Sequence, residues 1–149
     1  MADLTTVILA AGKGTRMKSS LPKVLHKAGG KAMLAHVLDA AKEAGAGRNI
    51  VVVGFGGETV EKALAGEAEF VRQTEQLGTG HAVLQAEPLL REEKGTVLVL
   101  CGDTPLLTGN LLKKLAKEHA ASGAKATVLT AVMPDAAGYW KGSHASPFP

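Results

Sequence analysis

A short apolar strand that runs into a glycine-rich basic loop is the feature that most restricts how this chain can fold. Residues 6–9 form a β-branched, apolar run that is typical of a buried strand. Two alanines follow, and then Gly12 and Gly14 stand on either side of Lys13. Small residues let the backbone approach a ligand closely, and successive N–H groups beside cations suit phosphate oxygens. The stretch therefore predicts a nucleoside triphosphate site at the carboxyl end of the first strand.

Two better-known glycine motifs do not fit this loop. A dinucleotide-binding fingerprint needs a third glycine three residues after Gly14, where Met17 stands. A Walker A loop needs Gly-Lys-Ser/Thr, but Gly12 and Lys13 are followed by another glycine. Either motif should open a helix at once, whereas Pro22 disfavours helix at the residue before it. An NAD-dependent oxidoreductase is therefore the least favoured of the alternatives.

Strand and helix signals alternate along the rest of the chain. This order is typical of an α/β domain, with a Rossmann-like, mainly parallel sheet and helices on both faces. The 149 residues suffice for one buried core, which must be aliphatic because only 3% of the residues are aromatic. The continuous apolar run at 96–100 predicts a central strand that is covered on both faces. Strands are expected at 5–9, 49–53, 69–72, 96–100 and 126–132, and helices at 32–44, 58–64, 80–86 and between Thr108 and Gly123.

Charge is unevenly distributed, although the net charge is only +3. No carboxylate lies between Asp3 and Asp39, whereas six basic residues do. Such a concentration around a glycine loop suits a small polyanionic ligand, and the alternative is an ordinary solvated basic face. A nucleic-acid partner is not expected, because no aromatic residues are interleaved for base stacking.

The sequence also carries signals about location. It has no continuous run of about 18 apolar residues that would predict a membrane span, and no basic segment followed by an apolar signal core. One cysteine excludes an internal disulfide and suits a reducing compartment. A cytoplasmic protein without a membrane partner is the expectation.

Three motifs resemble those of a known enzyme family. The first is Leu-Ala-Ala-Gly-x-Gly-Thr-Arg-Met at 9–17, with Leu-Pro-Lys at 21–23. The others are Gln-Thr-Glu-Gln-Leu-Gly-Thr-Gly-His-Ala at 73–82 and Cys-Gly-Asp-Thr-Pro-Leu at 101–106. The first resembles the opening of sugar-nucleotide pyrophosphorylases. The other two resemble the uridylyltransferase domain of bacterial bifunctional N-acetylglucosamine-1-phosphate uridyltransferases, over about residues 4–139.

The resemblance implies a glycosyltransferase-A-like nucleotidyltransferase fold and a particular reaction. Uridylyl would pass from UTP to N-acetylglucosamine 1-phosphate, giving UDP-N-acetylglucosamine, a cell-envelope precursor, and pyrophosphate. The attacking phosphate oxygen is already an anion near neutral pH, so the protein's task is positioning and charge neutralisation. Mg²⁺ is the implied cofactor.

The resemblance also implies roles for particular residues, each with a plainer alternative. Arg16 could instead form a surface ion pair, Lys23 could be an ordinary solvated lysine, Thr79 could only start a helix, and Asp103 could be a turn residue. His81 is expected to be a structural partner in its helix. The implied catalytic residues are Arg16 and Lys23, the metal ligand is Asp103, and the nucleotide- or substrate-binding residues are Leu9, Ala10, Ala11, Gly12, Lys23, Gln73, Gly78, Thr79, Gly102 and Gly138.

The family resemblance ends before the chain does. Residues 1–139 are expected to form the N-terminal part of the uridylyltransferase domain, and 140–149 a non-native or disordered tail. An asparagine that would be the second Mg²⁺ ligand, further sugar-binding residues, and the β-helix that carries acetyltransfer and makes the relatives trimeric are all expected beyond residue 149. A fragment with little turnover is therefore the expectation. The alternatives are a non-catalytic nucleotide-binding module and a nucleotidyltransferase for another sugar phosphate or for molybdopterin.

Overall fold

A four-stranded parallel sheet forms the centre of the domain. The computed structural model describes residues 3–14, 18–135 and 137. The sheet consists of β1 (Leu4–Ala10), β4 (Arg48–Val53), β5 (Glu69–Arg72) and β6 (Thr96–Cys101), in the spatial order β5-β4-β1-β6. Outside it lie an antiparallel ribbon of β2 (Lys27–Ala28) and β3 (Lys31–Ala32), a 3-10 helix (Lys23–Leu25), and the helices α1 (Met33–Glu43), α2 (Gly57–Ala63), α3 (Thr79–Leu84), α4 (Glu87–Leu90) and α5 (Gly109–Ser122).

Both faces of the sheet carry apolar clusters. Ile8 of β1 and Val51 of β4 belong to the larger cluster, with buried residues of α1, α2 and α5. Their neighbours Val7 and Val52 belong to the smaller cluster, with Ala82 of α3. This division follows from the alternation of side chains along a strand. The predicted α/β class, with a parallel sheet and helices on both faces, is confirmed.

Most of the predicted elements are present within two residues of their expected bounds. The helix predicted after Thr108 is α5, and the main-chain N–H of Leu111 donates to the Thr108 hydroxyl oxygen at 3.3 Å. That bond is a typical N-cap, and Gly123 follows the last helical residue. None of the described helices is long and apolar enough to cross a membrane.

The predicted central strand at 96–100 is instead an edge strand. Within the described residues β6 pairs only with β1, and its side chains alternate between a covered and an open face. Leu98 and Leu100 are buried, whereas Val97 and Val99 are 39% and 46% exposed. The prediction was wrong because an apolar run does not reveal whether a partner strand and a covering helix are present on its second side.

The predicted strand at 126–132 is also wrong. This segment has no regular secondary structure, and Val128 and Val132 are exposed. A strand needs a hydrogen-bonding partner, and no described strand pairs with this segment. The long basic loop after β1 contains the 3-10 helix and the β2–β3 ribbon. The predicted tail at 140–149 lies outside the described residues.

Candidate functional site

A cleft of about 620 Å³ opens at the carboxyl ends of β1, β5 and β6. Open parallel sheets bind ligands at this edge. A second cleft, of about 560 Å³, lies at the amino ends of β1 and β6, and its wall mixes acidic Asp3 and Glu93 with basic Arg48 and Lys113. The first cleft is therefore the candidate site. It is lined by Leu9, Ala10, Ala11, Gly12, Gly14, Lys23, Val24, Gln73, Gln76, Gly78, Thr79, Ala82, Cys101 and Asp103.

The turn after β1 forms one wall of this cleft. Ala10 and Ala11 are buried against the core, while Gly12 is exposed, with open space where a Cβ would lie. Gly14 has φ +58°, and a Cβ on it would lie 2.8 Å from Cβ of Lys23. Because both the backbone angle and the space disfavour a side chain, a glycine at 14 lets the lysine stem pack against the turn.

An ion pair joins two of the predicted site residues across the cleft. Lys23 begins the 3-10 helix behind Pro22, and Asp103 lies just past the end of β6. The Lys23 Nζ is 2.6 Å from Oδ2 of Asp103, and the two side chains are 41% and 36% exposed. Such a half-exposed pair contributes little to stability. Its importance lies in placing a cation and a hard carboxylate oxygen at one point of the cleft.

The side-chain amide of Gln73 has two polar neighbours within the protein. Gln73 is only 4% exposed, and its main-chain N–H donates to the Val53 carbonyl oxygen at 2.8 Å. Its amide nitrogen Nε2 is 3.1 Å from the Gly78 carbonyl oxygen and 2.9 Å from Nδ1 of His81. His81 was predicted to be a structural partner in its helix. The structure identifies the residue that it contacts as Gln73, which is predicted to bind the base.

Gln76 is a cleft residue that the sequence analysis did not single out. Its Nε2 donates to the Ala11 carbonyl oxygen at 2.8 Å, which joins the loop after β5 to the turn after β1. Gly54, after β4, completes this junction, since a Cβ there would lie 2.6 Å from that oxygen and 2.9 Å from the Gln76 nitrogen. Only the meeting of three strand ends reveals this contact, so the local sequence gave no signal for it.

Cys101 lines the cleft near Asp103. Its side chain lies on the open face of β6, and the residue is exposed. Partial burial raises the pKa of the Cys101 thiol, the negative charge of Asp103 raises it further, and Lys23 opposes both effects. A thiol with a raised pKa is protonated at neutral pH and is a poor nucleophile. The raised pKa therefore does not favour Cys101 as a covalent nucleophile.

Among the residues that line the cleft, Asp103 is the one that offers carboxylate oxygens to a divalent cation. Residues 3–14, 18–135 and 137 contain no group of three or more His, Cys, Asp or Glu side chains that could hold a metal. Asp103 is the carboxylate that lines the cleft, and one of its oxygens faces Lys23. Mg²⁺ is commonly held by one or two carboxylates together with substrate phosphates and water. The residues therefore fit a metal that arrives with a triphosphate, rather than a closed protein site.

The structure brings most of the predicted site residues together. Thr79 lines the cleft as the first residue of α3, whose N-cap is Gly78 and has no side-chain capping bond. Gly102 lies behind the lining, where its N–H donates to the Leu9 carbonyl oxygen at 2.9 Å. Arg16 and Gly138 lie outside the described residues. The predicted residues that share the cleft are Leu9, Ala10, Ala11, Gly12, Lys23, Gln73, Gly78, Thr79 and Asp103.

Comparison with known families decides the class of this domain. Residues 6–141 match the family of MobA-like NTP transferase domains. The chain belongs to this family. The α/β architecture and the cleft at the strand ends therefore belong to an NTP transferase domain.

The NTP transferase domain is also similar to bacterial proteins named bifunctional protein GlmU. It is 58% identical to that of Exiguobacterium sibiricum over 133 residues, which cover 89% of this chain and 30% of the relative. It is 58% identical to that of Heliobacterium modesticaldum over 139 residues, 93% of this chain and 30% of the relative. The family resemblance drawn from the three motifs is confirmed. The chain spans about three-tenths of the length of these relatives.

Solved structures show the same fold. A nucleotidyl transferase from Methanothermobacter thermautotroptrophicus superposes with a TM-score of 0.67 and 26% identity, over 77% of this chain and 57% of that one. Rv0371c of Mycobacterium tuberculosis, solved as a complex with manganese, gives a TM-score of 0.62 at 24% identity, over 80% of this chain and 60% of that one. The second likeness concerns the fold alone.

Proposed function

We propose that this NTP transferase domain binds UTP and transfers its uridylyl group to N-acetylglucosamine 1-phosphate. The products are UDP-N-acetylglucosamine and pyrophosphate. The single observation that carries the proposal is the convergence of Gln73, Lys23 and Asp103 on one cleft beside the glycine turn. A base reader, a phosphate ligand and a metal ligand that line one cleft suit a nucleotide bound in it.

The chemistry requires no protein nucleophile. A phosphate oxygen of the sugar phosphate forms a bond to the α-phosphorus of UTP, while the bond from that phosphorus to the bridging oxygen breaks and pyrophosphate leaves with the electron pair. Lys23 neutralises the triphosphate, and Arg16 is proposed to do the same. Positioning and charge neutralisation supply most of the catalysis in such phosphoryl transfers. This accounts for a cleft that contains glycines, a cation and one carboxylate.

Asp103 is the proposed protein ligand of Mg²⁺. When bound, a magnesium ion would neutralise charge on the phosphates. The fit of one carboxylate plus phosphate oxygens supports a divalent cation, and the choice of Mg²⁺ belongs to the proposal. Because Lys23 is paired with Asp103, the triphosphate would release the carboxylate by attracting the lysine.

The remaining parts of the proposal concern the base, the sugar and the assembly. The main chain at Gly78 and Thr79 would lie against uracil and disfavour larger bases. Gly102 and Gly138 are proposed to contact the nucleotide or sugar. A homotrimer, further sugar ligands and a cytoplasmic location follow from the resemblance to longer relatives and stay predictions.

The test separates binding from turnover. In isothermal titration calorimetry with MgCl₂, we expect the chain to bind UTP, and Lys23→Met to weaken that binding by about 10-fold because a charge-assisted hydrogen bond is lost. Pyrophosphate release with N-acetylglucosamine 1-phosphate should be far slower than that of a full-length relative.

Each alternative predicts a different result. UTP binding without any pyrophosphate release would favour a non-catalytic nucleotide-binding module. Tighter binding of a purine nucleotide would favour a transferase for another substrate, such as molybdopterin. No binding of any nucleotide would contradict the proposal.

A further inference from the structure

The amide of Gln73 has one orientation that its surroundings allow. The Gly78 carbonyl oxygen can only accept a hydrogen bond, so the nitrogen end of the amide must face it at 3.1 Å. The same nitrogen is 2.9 Å from Nδ1 of His81. The two hydrogens of the Gln73 amide nitrogen are therefore both donated within the protein.

The oxygen of the same amide remains for a ligand. Among the described residues, no group donates to Oε1 of Gln73. Oε1 is also not fully buried, since the fully buried side-chain atoms without a partner do not include it. Since Gln73 itself lines the cleft, Oε1 is accessible from it. The base site therefore presents a hydrogen-bond acceptor at this point and not a donor.

This arrangement fixes the tautomer of His81. A neutral imidazole has one donor and one acceptor nitrogen, so Nδ1 accepts from Gln73 and Nε2 carries the proton. The Gln85 amide nitrogen lies 3.2 Å from Nε2 of His81 and 3.1 Å from the His81 main-chain oxygen. If the Gln85 amide turns, its oxygen can accept from Nε2, and its contact with the main-chain oxygen is lost. Gln85 is half-buried, so its amide can turn and move away from the His81 main-chain oxygen toward solvent, whereas the 4% exposed Gln73 amide, if turned, would keep its oxygen against the Gly78 carbonyl oxygen.

We infer that His81 is a positioning residue that makes the base site select uracil over cytosine, by holding Oε1 of Gln73 toward the base. The inference rests on the proposed function, in which Gln73 reads the base. Uracil has a hydrogen on N3 and can donate to an acceptor. Cytosine has an unprotonated N3, which would face Oε1 as a second acceptor. A site built to bond one group discriminates strongly against an analogue that leaves a buried polar atom unpaired.

The test compares UTP and CTP binding in matched variants of the whole chain. His81→Leu removes the acceptor and frees the Gln73 amide, so we expect the ratio of UTP to CTP affinity to fall about 10-fold, the value of one hydrogen bond. His81→Asn keeps an acceptor oxygen near the position of Nδ1 and should restore most of the ratio. His119→Leu is the control, because His119 of α5 contacts the hydroxyl of Thr127 and does not line the cleft. The thermal unfolding midpoint of each variant separates a change in selectivity from a loss of fold.

A second measurement needs no nucleotide. Nitrogen-15 NMR of the unliganded chain should show the His81 proton on Nε2. The side-chain amide hydrogens of Gln73 should exchange slowly with solvent in the parent and faster in His81→Leu. A proton on Nδ1, or an unchanged UTP to CTP ratio in His81→Leu, would overturn the inference while leaving UTP binding intact. Absence of UTP binding by the parent chain would instead contradict the proposed function, and the assignment of a base site would fall with it.

Discussion

The pair formed by Lys23 and Asp103 has consequences for how a nucleotide and a metal enter the cleft. The lysine Nζ lies 2.6 Å from a carboxylate oxygen that the proposed metal would need. Each partner therefore masks the charge of the other before any ligand arrives. A triphosphate attracts the lysine and a divalent cation attracts the carboxylate, so either ligand releases the group that the other requires. Nucleotide and metal should bind cooperatively.

Replacing the Asp103 carboxylate should abolish the gain in nucleotide affinity that the metal gives. Without divalent cations, Asp103→Asn should bind UTP about 3- to 10-fold more tightly than the parent, because a repelling charge is removed and Lys23 is freed. With MgCl₂ the parent should gain affinity and the variant should not. Calorimetric titrations with and without MgCl₂ measure both effects. Asp39→Asn is the control, since Asp39 pairs with Lys31 and does not line the cleft. An equal response of parent and Asp103→Asn to MgCl₂ would contradict a metal role for Asp103.

At the scale of secondary-structure elements, Arg48 joins three segments at the amino end of the sheet. From β4 it donates to both carboxylate oxygens of Glu69 on β5, at 2.6 and 2.9 Å. It also donates to the Leu89 carbonyl oxygen of α4 and to Glu93, each at 2.7 Å. The hydrogen bonds from Arg48 lower the pKa of the Glu69 carboxyl, against an opposing effect of burial. This guanidinium therefore ties the edge strand β5, the helix α4 and Glu93 to the start of β4.

The lowered pKa of Glu69 determines the direction of the pH effect. A carboxyl whose folded pKa lies below its ordinary value of 4.5 stabilises the fold above that pH and loses this contribution as the pH falls toward the folded pKa. Arg48→Gln should therefore lower the free energy of unfolding at pH 7 by about 1–2 kcal/mol, and by less at about pH 3. Urea unfolding followed by circular dichroism at both pH values measures the difference. Arg72→Gln, which removes a more exposed pair with Glu61, should have a smaller effect. An equal loss at both pH values would contradict the assignment.

Across the whole molecule, burial is concentrated in two strands. β1 and β4 are the inner strands of the described sheet, and side chains such as Val7, Ile8 and Ile50 are fully buried within the two apolar clusters. β5 and β6 each have one paired side in the described part of the chain. Residues 124–135 have no described hydrogen-bonded strand and are largely exposed. The molecule therefore has a stable centre and a weakly held flank.

Amide hydrogen exchange should reproduce this gradient. We expect amides of β1 and β4 to exchange at least about 1,000-fold more slowly than those of 124–135, because the inner strands open only by global unfolding. The amides of β5 and β6 should be intermediate. Exchange followed by mass spectrometry or NMR at pH 7 measures the order. Protection of 126–132 equal to that of β1 would show a paired strand there and contradict the described structure.

The sequence by itself determined the class of fold and the class of site. Period-two and period-3.6 apolar patterns depend on neighbouring residues only, so β1, β4 and β5 and the helices from α1 to α5, other than α4, could be placed closely. The glycine turn, Lys23 and Asp103 were predictable because phosphate and metal chemistry require particular residue types beside strand ends. These signals are local in the chain.

Only the tertiary structure decided which of the segments that carry these patterns come into contact. Whether β6 is central or at an edge depends on a partner strand, and whether 126–132 forms a strand depends on a free edge beside it. The contact of Gln76 with the Ala11 oxygen and the orientation of the Gln73 amide by His81 arise where separate strand ends converge. Hydrogen bonds and burial between segments distant in the chain are properties of three-dimensional packing, and local pattern carries no information about them.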